Sequence, residues 1–156
     1  EALGLCEHWA DGEAICVILG DNIFEYQLRP GLQRFAAKGQ GAMVFLKEVH
    51  DPERFGVATL EGDNVVEIVE KPNDPKSNWA VTGAYCYDAS VFEIIKTLEP
   101  SARGELEITD VNNAYLRSGQ LAAHKLAGWW TDAGTFESLL RAGNLVAKSG
   151  ANKPTE

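Results

Sequence analysis

Ile15-Cys16-Val17-Ile18-Leu19 is a continuous apolar run, and Gly20-Asp21-Asn22 follows it directly. An unbroken apolar run of this length is typical of a parallel strand that is covered on both faces. Ligands of an open α/β sheet bind outside the carboxyl ends of its strands. We therefore expect Asp21 to project into a binding crevice at the end of this strand.

A second acidic turn lies far along the chain, in Trp130-Thr131-Asp132-Ala133-Gly134-Thr135. It also ends an apolar, strand-like run, so we expect Asp132 to face the same crevice as Asp21. Two carboxylates are a poor cage for calcium, but they suit Mg²⁺, which completes its octahedron with water and substrate phosphate. The pair predicts an enzyme that handles phosphate groups.

Predicted strands alternate with predicted helices, which indicates an α/β sheet. We predict strands over 15–19, 42–49, 80–87 and 121–126, and an inserted antiparallel hairpin over 57–60 and 65–69. Helices are expected up to residue 10, from Pro30 to Gly39, after a Ser90 cap, from a Thr109 cap to residue 118, and from Phe136 onward. Residues 1–148 would form one domain, a sheet that has lost its first strands, and residues 149–156 a frayed polar tail.

The bulk composition excludes some classes of partner. The 156 residues carry a formal net charge of −9, and so acidic a surface repels nucleic-acid backbones. No apolar run approaches the roughly 18 residues of a membrane span, and no targeting pattern is present. We therefore expect no membrane partner, and we expect the protein to be located in a reducing cytoplasm. Cys6, Cys16 and Cys86 form no CxxC pair, and we interpret them as buried, reduced core thiols.

Four further positions have both a chemical and a structural interpretation. Glu70-Lys71-Pro72 could present a carboxylate to sugar hydroxyls and an ammonium to phosphate, or form an ordinary solvated turn. Val81-Thr82-Gly83 could allow a ligand or another backbone to approach Gly83, or contain a bulge. Arg103 could clamp a phosphate or pair with a nearby acid. The backbone amide of Gly56 could face a sugar.

Taken together and in order, these strings closely resemble the glucose-1-phosphate thymidylyltransferases, a group within the sugar-phosphate nucleotidyltransferases. The resemblance runs from about residue 2 to about residue 147. It rests on Leu-Gly-Asp-Asn at 19–22, Asp-Pro-Glu-Arg-Phe-Gly-Val at 51–57, Glu-Lys-Pro at 70–72, Val-Thr-Gly at 81–83, Ser-Ala-Arg-Gly-Glu-Leu-Glu-Ile-Thr-Asp at 101–110 and Trp-Thr-Asp-Ala-Gly-Thr at 130–135.

The resemblance implies a Rossmann-like nucleotidyltransferase fold, a mixed sheet flanked by helices. It implies a reaction in which a sugar 1-phosphate and a nucleoside triphosphate give a nucleotide-sugar and pyrophosphate, with Mg²⁺ as cofactor. In this family Asp21 and Asp132 would hold the metal, and Lys71 and Arg103 would be the catalytic cations on the sugar phosphate. The substrate-binding residues that the resemblance implies are Gly20, Gly56, Glu70, Val81, Gly83 and Tyr85.

One part of the family pattern has no counterpart in these 156 residues. The family carries a glycine-rich loop, roughly Gly-Gly-x-Gly-Thr-Arg-Leu, which cradles the triphosphate. A single hydrogen-bond donor aimed at the leaving pyrophosphate commonly contributes a factor of about 10²–10³ in rate, so we expect no turnover by this chain alone. We expect dTTP to be a partner only where the missing segment is supplied. Two other hypotheses are a non-catalytic remnant that binds sugar phosphate, and a homo-oligomeric interaction module whose exposed sheet edge pairs with a second copy.

Overall fold

The part of the chain described by a computed structural model, residues 2–101 and 104–154, contains eight strands and five α-helices. The strands are β1 (Ile15–Ile18), β2 (Asn22–Phe24), β3 (Ala42–Glu48), β4 (Gly56–Glu61), β5 (Asn64–Glu70), β6 (Trp79–Tyr87), β7 (Leu121–Lys125) and β8 (Trp130–Asp132). The α-helices are α1 (Glu7–Ala10), α2 (Arg29–Lys38), α3 (Val91–Lys96), α4 (Ile108–Arg117) and α5 (Phe136–Ser149). Short 3-10 helices cover Ala2–Cys6 and Pro52–Arg54.

Six strands form one mixed sheet in the order β5-β4-β6-β3-β7, with β1 also paired to β6. Among these described strands β3 and β7 run parallel, and the other neighbours are antiparallel. The sheet curls far enough for the ammonium of Lys125, at the end of β7, to reach Asp63 in the β4–β5 turn at 2.9 Å. β2 and β8 form a separate antiparallel pair. The predicted α/β class and the antiparallel hairpin are confirmed.

The interior strand β3 explains why helices lie on both faces of the sheet. β3 is buried from Ala42 through Leu46, and its side chains alternate between the two faces. Ala42, Val44 and Leu46 pack in a core that includes residues of α3 and α4. Met43 and Phe45 pack in a second core, which includes residues of α2, β2 and β8.

Strand β1 differs from the sequence prediction. We expected a parallel strand covered on both faces, but β1 pairs antiparallel with β6, and half-buried and exposed residues alternate along it. Ile15 and Val17 pack against the first core, whereas Cys16 and Ile18 stand on the exposed face. Because all four side chains are apolar, the sequence pattern did not reveal which face is covered.

The interpretation of three buried thiols is wrong for two of them. Cys86 is buried in β6, but Cys6 and Cys16 are exposed. All three cysteines are free thiols. Cys16 is exposed because it stands on the uncovered face of β1.

Of the two predicted helix caps, one is right in position and the other is wrong. Ser90 occupies the N-cap position of α3, but its hydroxyl makes no capping bond and instead donates to a carboxylate oxygen of Asp88 at 2.5 Å. Thr109 lies inside α4, and its hydroxyl donates to Glu70. The capping box of the described helices is at α5, where Thr135 and Ser138 bond to each other's backbone N–H. None of the described helices combines the length and apolar character needed to cross a bilayer.

The end of the chain is attached further than predicted. The backbone N–H groups of Asn152 and Lys153 donate to the carbonyls of Phe24 at 2.9 Å and Glu25 at 2.8 Å. The ammonium of Lys153 also lies 2.6 Å from the carboxylate of Glu25. The expectation of a frayed tail from residue 149 is therefore wrong as far as Lys153.

Two helical glycines predict opposite effects for the same substitution. A Cβ on Gly31 of α2 would overlap the ring of Phe45 in β3, whereas a Cβ on Gly143 of α5 would meet no atom within 4 Å. Gly31→Ala should lower the free energy of unfolding by about 1–3 kcal/mol through overpacking. Gly143→Ala should raise it by up to about 1 kcal/mol through helix propensity. Urea unfolding measures both, and a Gly31→Ala chain as stable as the wild type would show that α2 does not need this close contact.

Candidate active site

The candidate site lies at a fork in the main sheet. Along one side of β6, β4 pairs with residues 79–81 and β1 pairs with residues 84–87, so the two strands separate at Thr82 and Gly83. The N–H of Leu19 donates to the carbonyl of Gly83 at 2.8 Å, and the N–H of Gly83 donates to Oδ1 of Asn22 at 2.8 Å. The end of β1 and the start of β4 therefore border a common cleft.

Asn22 connects three parts of this cleft. Its Oδ1 also accepts a hydrogen bond from the indole N–H of Trp130 at 2.7 Å, and its Nδ2 donates to the carboxylate of Asp21 at 2.9 Å. A Cβ on Gly83 would overlap the Asn22 amide. The close approach that the sequence suggested at Gly83 is made by this side chain. Asn22 was not singled out in the sequence, although it adjoins Asp21.

The pairing of β2 with β8 brings the two aspartates together. Asn22 lies opposite Asp132, and the N–H of Ala133 donates to the carbonyl of Asp21 at 2.7 Å. A Cβ placed on Gly134 would lie 3.2 Å from Oδ2 of Asp21 and 3.6 Å from Oδ2 of Asp132. Both carboxylates thus face the same small space. We had expected the two aspartates to meet at the carboxyl ends of parallel strands. They meet instead through the antiparallel pairing of β2 with β8.

Two arginines approach Asp132. The guanidinium of Arg54 lies 3.4 Å from both carboxylate oxygens of Asp132 and 2.8 Å from Asp51. The hydrogen bond to Asp51, reinforced by the charge of Asp132, raises the pKa of Arg54. Arg141 of α5 lies 3.6 Å from Asp132 and donates to the hydroxyl of Thr131. The sequence reasoning missed both arginines, although Arg54 belongs to the quoted string at 51–57.

The opposite wall is built around Gly56, the first residue of β4. Gly56 lies opposite Glu70 of β5 on one side and opposite Val81 of β6 on the other. A Cβ on Gly56 would lie 3.3 Å from Oε2 of Glu70 and 3.3 Å from the hydroxyl of Thr109. That hydroxyl donates to Oε2 of Glu70 at 2.5 Å. Thr109, expected as a helix cap, therefore orients the carboxylate of Glu70.

Lys71 and Tyr85 complete the cleft. Lys71 is exposed and has a φ of +41°, a left-handed backbone conformation that is uncommon for a residue other than glycine. Its N–H donates to the carbonyl of Phe55 at 3.0 Å, which holds the turn in place. Tyr85 is 4% exposed, and its burial, with the charges of Glu70 and Asp21, raises the pKa of its hydroxyl well above the ordinary value. Tyr85 therefore stays neutral at physiological pH.

These groups line a cleft of about 610 Å³. Of the residues singled out in the sequence, it contains Asp21, Gly56, Glu70, Lys71, Val81, Gly83, Tyr85 and Asp132. Gly20 does not line the cleft, and a Cβ there would meet no atom within 4 Å. Arg103 lies outside the described residues. The described residues contain no group of three or more His, Cys, Asp or Glu side chains that could hold a metal ion.

Comparison with known proteins points to one family. The nucleotidyl transferase family model matches residues 1–149. A glucose-1-phosphate thymidylyltransferase of Neisseria meningitidis is 47% identical over 150 residues, which cover 94% of this chain and 52% of that protein. The chain spans about half the length of the curated relatives it matches.

Solved structures agree with this match. A Bacillus anthracis protein provisionally assigned as a glucose-1-phosphate thymidylyltransferase, in complex with sucrose, is 56% identical with a TM-score of 0.87, over 92% of this chain and 58% of that one. A UDP-glucose pyrophosphorylase in complex with UDP-glucose is 27% identical with a TM-score of 0.83, over 94% of this chain and 61% of that one. The resemblance noted in the sequence, and the mixed sheet flanked by helices that it implied, are confirmed.

Asn22 and Gly83 should be energetically coupled. Asn22→Ala leaves the N–H groups of Gly83 and Trp130 without their acceptor and should cost about 1–3 kcal/mol of stability. Gly83→Ala should cost a similar amount in the wild type, but much less in the Asn22→Ala background, where the overlapping amide is gone. Urea unfolding of the double-mutant cycle measures this, with exposed Asn144→Ala as the control. Additive effects would contradict the contact.

Proposed function

The chain belongs to the nucleotidyl transferase family, and from this premise we propose that its cleft binds a sugar 1-phosphate for nucleotidyl transfer. The reaction is that of the glucose-1-phosphate thymidylyltransferases, to which the chain is similar. In it, a sugar 1-phosphate and dTTP give a dTDP-sugar and pyrophosphate.

One juxtaposition carries this proposal. At one wall of the cleft, the carboxylate of Glu70 is held by Thr109 beside the open backbone of Gly56, and it offers acceptor oxygens to sugar hydroxyls. The other wall contains the carboxylates of Asp21 and Asp132. A group that recognises a polyhydroxylated ligand thus shares one cleft with a pair suited to a phosphate-bound cation.

Asp21 and Asp132 would hold Mg²⁺, and the residues fit this ion. Their oxygens are hard ligands, and Gly134 leaves free the space between the two carboxylates that a Cβ would fill. Two protein carboxylates leave positions for water and phosphate oxygens, as Mg²⁺ prefers. When bound, the ion would neutralise charge on the reacting phosphates.

The chain's own residues would position the sugar phosphate. Glu70 would fix the hexose through its hydroxyls, while Val81 and Tyr85 would form the apolar side of the pocket. Lys71 would bind the phosphate as a mobile point charge, with Arg103 as a second cation. The phosphate oxygen then forms its bond to the α-phosphorus of dTTP as the bond to pyrophosphate breaks.

We further propose that these 156 residues alone bind the sugar phosphate but do not turn over. They contain no glycine-rich loop of the kind that cradles a triphosphate. Each backbone or cationic donor aimed at a leaving pyrophosphate is commonly worth about 10²–10³ in rate, so the lack of several should leave no measurable activity.

Titration calorimetry with glucose 1-phosphate and Mg²⁺ should detect binding to the wild-type chain, whereas dTTP with Mg²⁺ should give no heat. Glu70→Gln should weaken sugar-phosphate binding on the order of tenfold or more, because a charged acceptor becomes a neutral amide. Glu67→Gln is the matched control on the same strand, since Glu67 pairs with Lys76 at 2.8 Å, outside the cleft. Lys71→Ala should weaken binding and Lys76→Ala should not.

Three outcomes would contradict these proposals. If the folded wild-type chain binds no glucose 1-phosphate, the proposal that the cleft is a sugar-phosphate site is wrong. Equal losses in Glu67→Gln and Glu70→Gln would show that Glu70 is not the recognition group. Formation of dTDP-glucose above a no-enzyme blank would overturn the proposal that the isolated chain is inactive.

A second candidate function is self-association through β1. No other described strand pairs with the outer side of β1, and Ile18 and Leu19 are 53% and 46% exposed. An apolar cleft of about 570 Å³ lies beside them, lined in part by Trp9, which is 89% exposed. An open strand edge next to apolar surface matches the same edge of a second copy across a two-fold axis. We therefore propose a homo-oligomer.

Light scattering at micromolar concentration should give the mass of a dimer or larger oligomer. The Ile18→Lys variant should have a mass closer to that of the monomer than the wild type has, because an exposed lysine on an edge strand opposes edge-to-edge pairing. Val66→Lys is the matched control on β5, where Val66 is 43% exposed, and should leave the mass unchanged. A monomeric wild type, or dissociation by Val66→Lys alone, would exclude β1 as the interface.

A further inference from the structure

Cys16 of β1 lies directly opposite Cys86 of β6. The hydrogen bond from Leu19 to Gly83 fixes the pairing pattern, because such bonded pairs alternate with non-bonded pairs along an antiparallel ladder. Cys16 and Cys86 therefore form a non-hydrogen-bonded pair, in which Cα atoms lie about 4.5 Å apart and side chains approach most closely. Disulfides use Cα separations of about 4.4–6.8 Å, so the backbone already holds these thiols within reach of each other.

The two thiols differ in exposure. Cys86 is 1% exposed and belongs to the second core, whereas Cys16 is exposed on the uncovered face of β1. A hydrogen bond with Cys86 lowers the pKa of Cys16 to about 7, although partial burial opposes this shift. The same hydrogen bond, together with burial, raises the pKa of Cys86. Cys16 is thus both the accessible sulfur and the one with more thiolate at neutral pH.

We propose that Cys16 and Cys86 form a reversible dithiol–disulfide pair, with Cys16 as the attacking sulfur and Cys86 as the resolving sulfur. The oxidant is a low-molecular-weight disulfide of the glutathione class. The Cys16 thiolate attacks one sulfur of oxidised glutathione, which forms a mixed disulfide and releases one glutathione thiolate. Cys86 then loses its proton and attacks the Cys16 sulfur, which forms the protein disulfide and releases the second glutathione. The two protein protons end on two glutathione thiols.

Cys6 provides an internal comparison. It is also exposed, but it is no ladder partner of another cysteine, and its thiol donates to the carbonyl of Ala2 at 3.7 Å. Cys6 should therefore react as a single thiol. The Cys16–Cys86 bond, in contrast, would close a loop of about 70 residues and fasten the four-residue strand β1 to β6. It should raise the Tm on the order of 5–10 °C.

The test is to equilibrate the full chain with mixtures of reduced and oxidised glutathione, quench with acid, alkylate the remaining thiols, and map peptides by mass without reduction. In the wild type we expect a linked pair of peptides containing Cys16 and Cys86, no retained glutathione on either, and a higher Tm that reductant reverses. Cys6→Ser should behave like the wild type. Cys86→Ala should retain glutathione on Cys16, because the resolving thiol is missing.

The proposal is overturned if the wild type keeps both thiols free in excess oxidised glutathione, if glutathione stays on Cys16 at equilibrium, or if Cys6 supplies the linked partner. Because the decisive map is made on the wild-type chain, misfolding of a variant cannot decide the result. No sugar phosphate, nucleotide or metal is present, so failure here is distinct from failure of the proposed function.

Discussion

The backbone pairing of β6 is the constraint on which the sheet, the cleft and the thiol pair all depend. β6 pairs with β3 along one side, and its other side is divided between β4 near Val81 and β1 near Ala84. A strand whose two neighbours separate leaves backbone groups that must find other partners. At Gly83 these partners are the N–H of Leu19 and the side chain of Asn22. The cleft is thus a consequence of how β6 completes its hydrogen bonds.

The electrostatics of the cleft are local and differ from those of the chain as a whole. The protein has a formal net charge of −9, which would repel a phosphorylated ligand at long range. Lys71 and Arg54 line the cleft, however, and Arg141 of α5 approaches Asp132 from outside that lining. Arg54 also holds Asp51, so its position is set from both sides. Nearby cations of this kind determine whether an acidic protein can accept a phosphate.

The sequence allowed prediction of those features that depend on neighbouring residues. The buried run of β3, the hairpin at 57–69 and the start and end of α2 follow from local patterns, and the structure contains them. The pairing of β1 could not be derived, because an unbroken apolar run does not say which face is covered. Asn22, Arg54 and Thr109 act through partners 39 to 108 residues away, judged by the pairs Asn22–Trp130, Arg54–Asp132 and Thr109–Glu70. Such contacts leave no mark in local periodicity; the roles of the predicted site residues stay predictions.

The alternation of side chains along β6 separates the cleft from the thiol pair. Val81 and Tyr85 line the cleft, whereas Ala84 and Cys86 stand in the second core on the other face of the strand. A bond between Cys16 and Cys86 would therefore not fill the cleft or touch its ligand-binding groups. Its effect would pass through the backbone, since β1 leads directly into Leu19, which bonds to Gly83, and into Asp21. A clamp at this point would restrain the strand that places Asp21, so oxidation would alter the rigidity of the site and leave its shape unchanged.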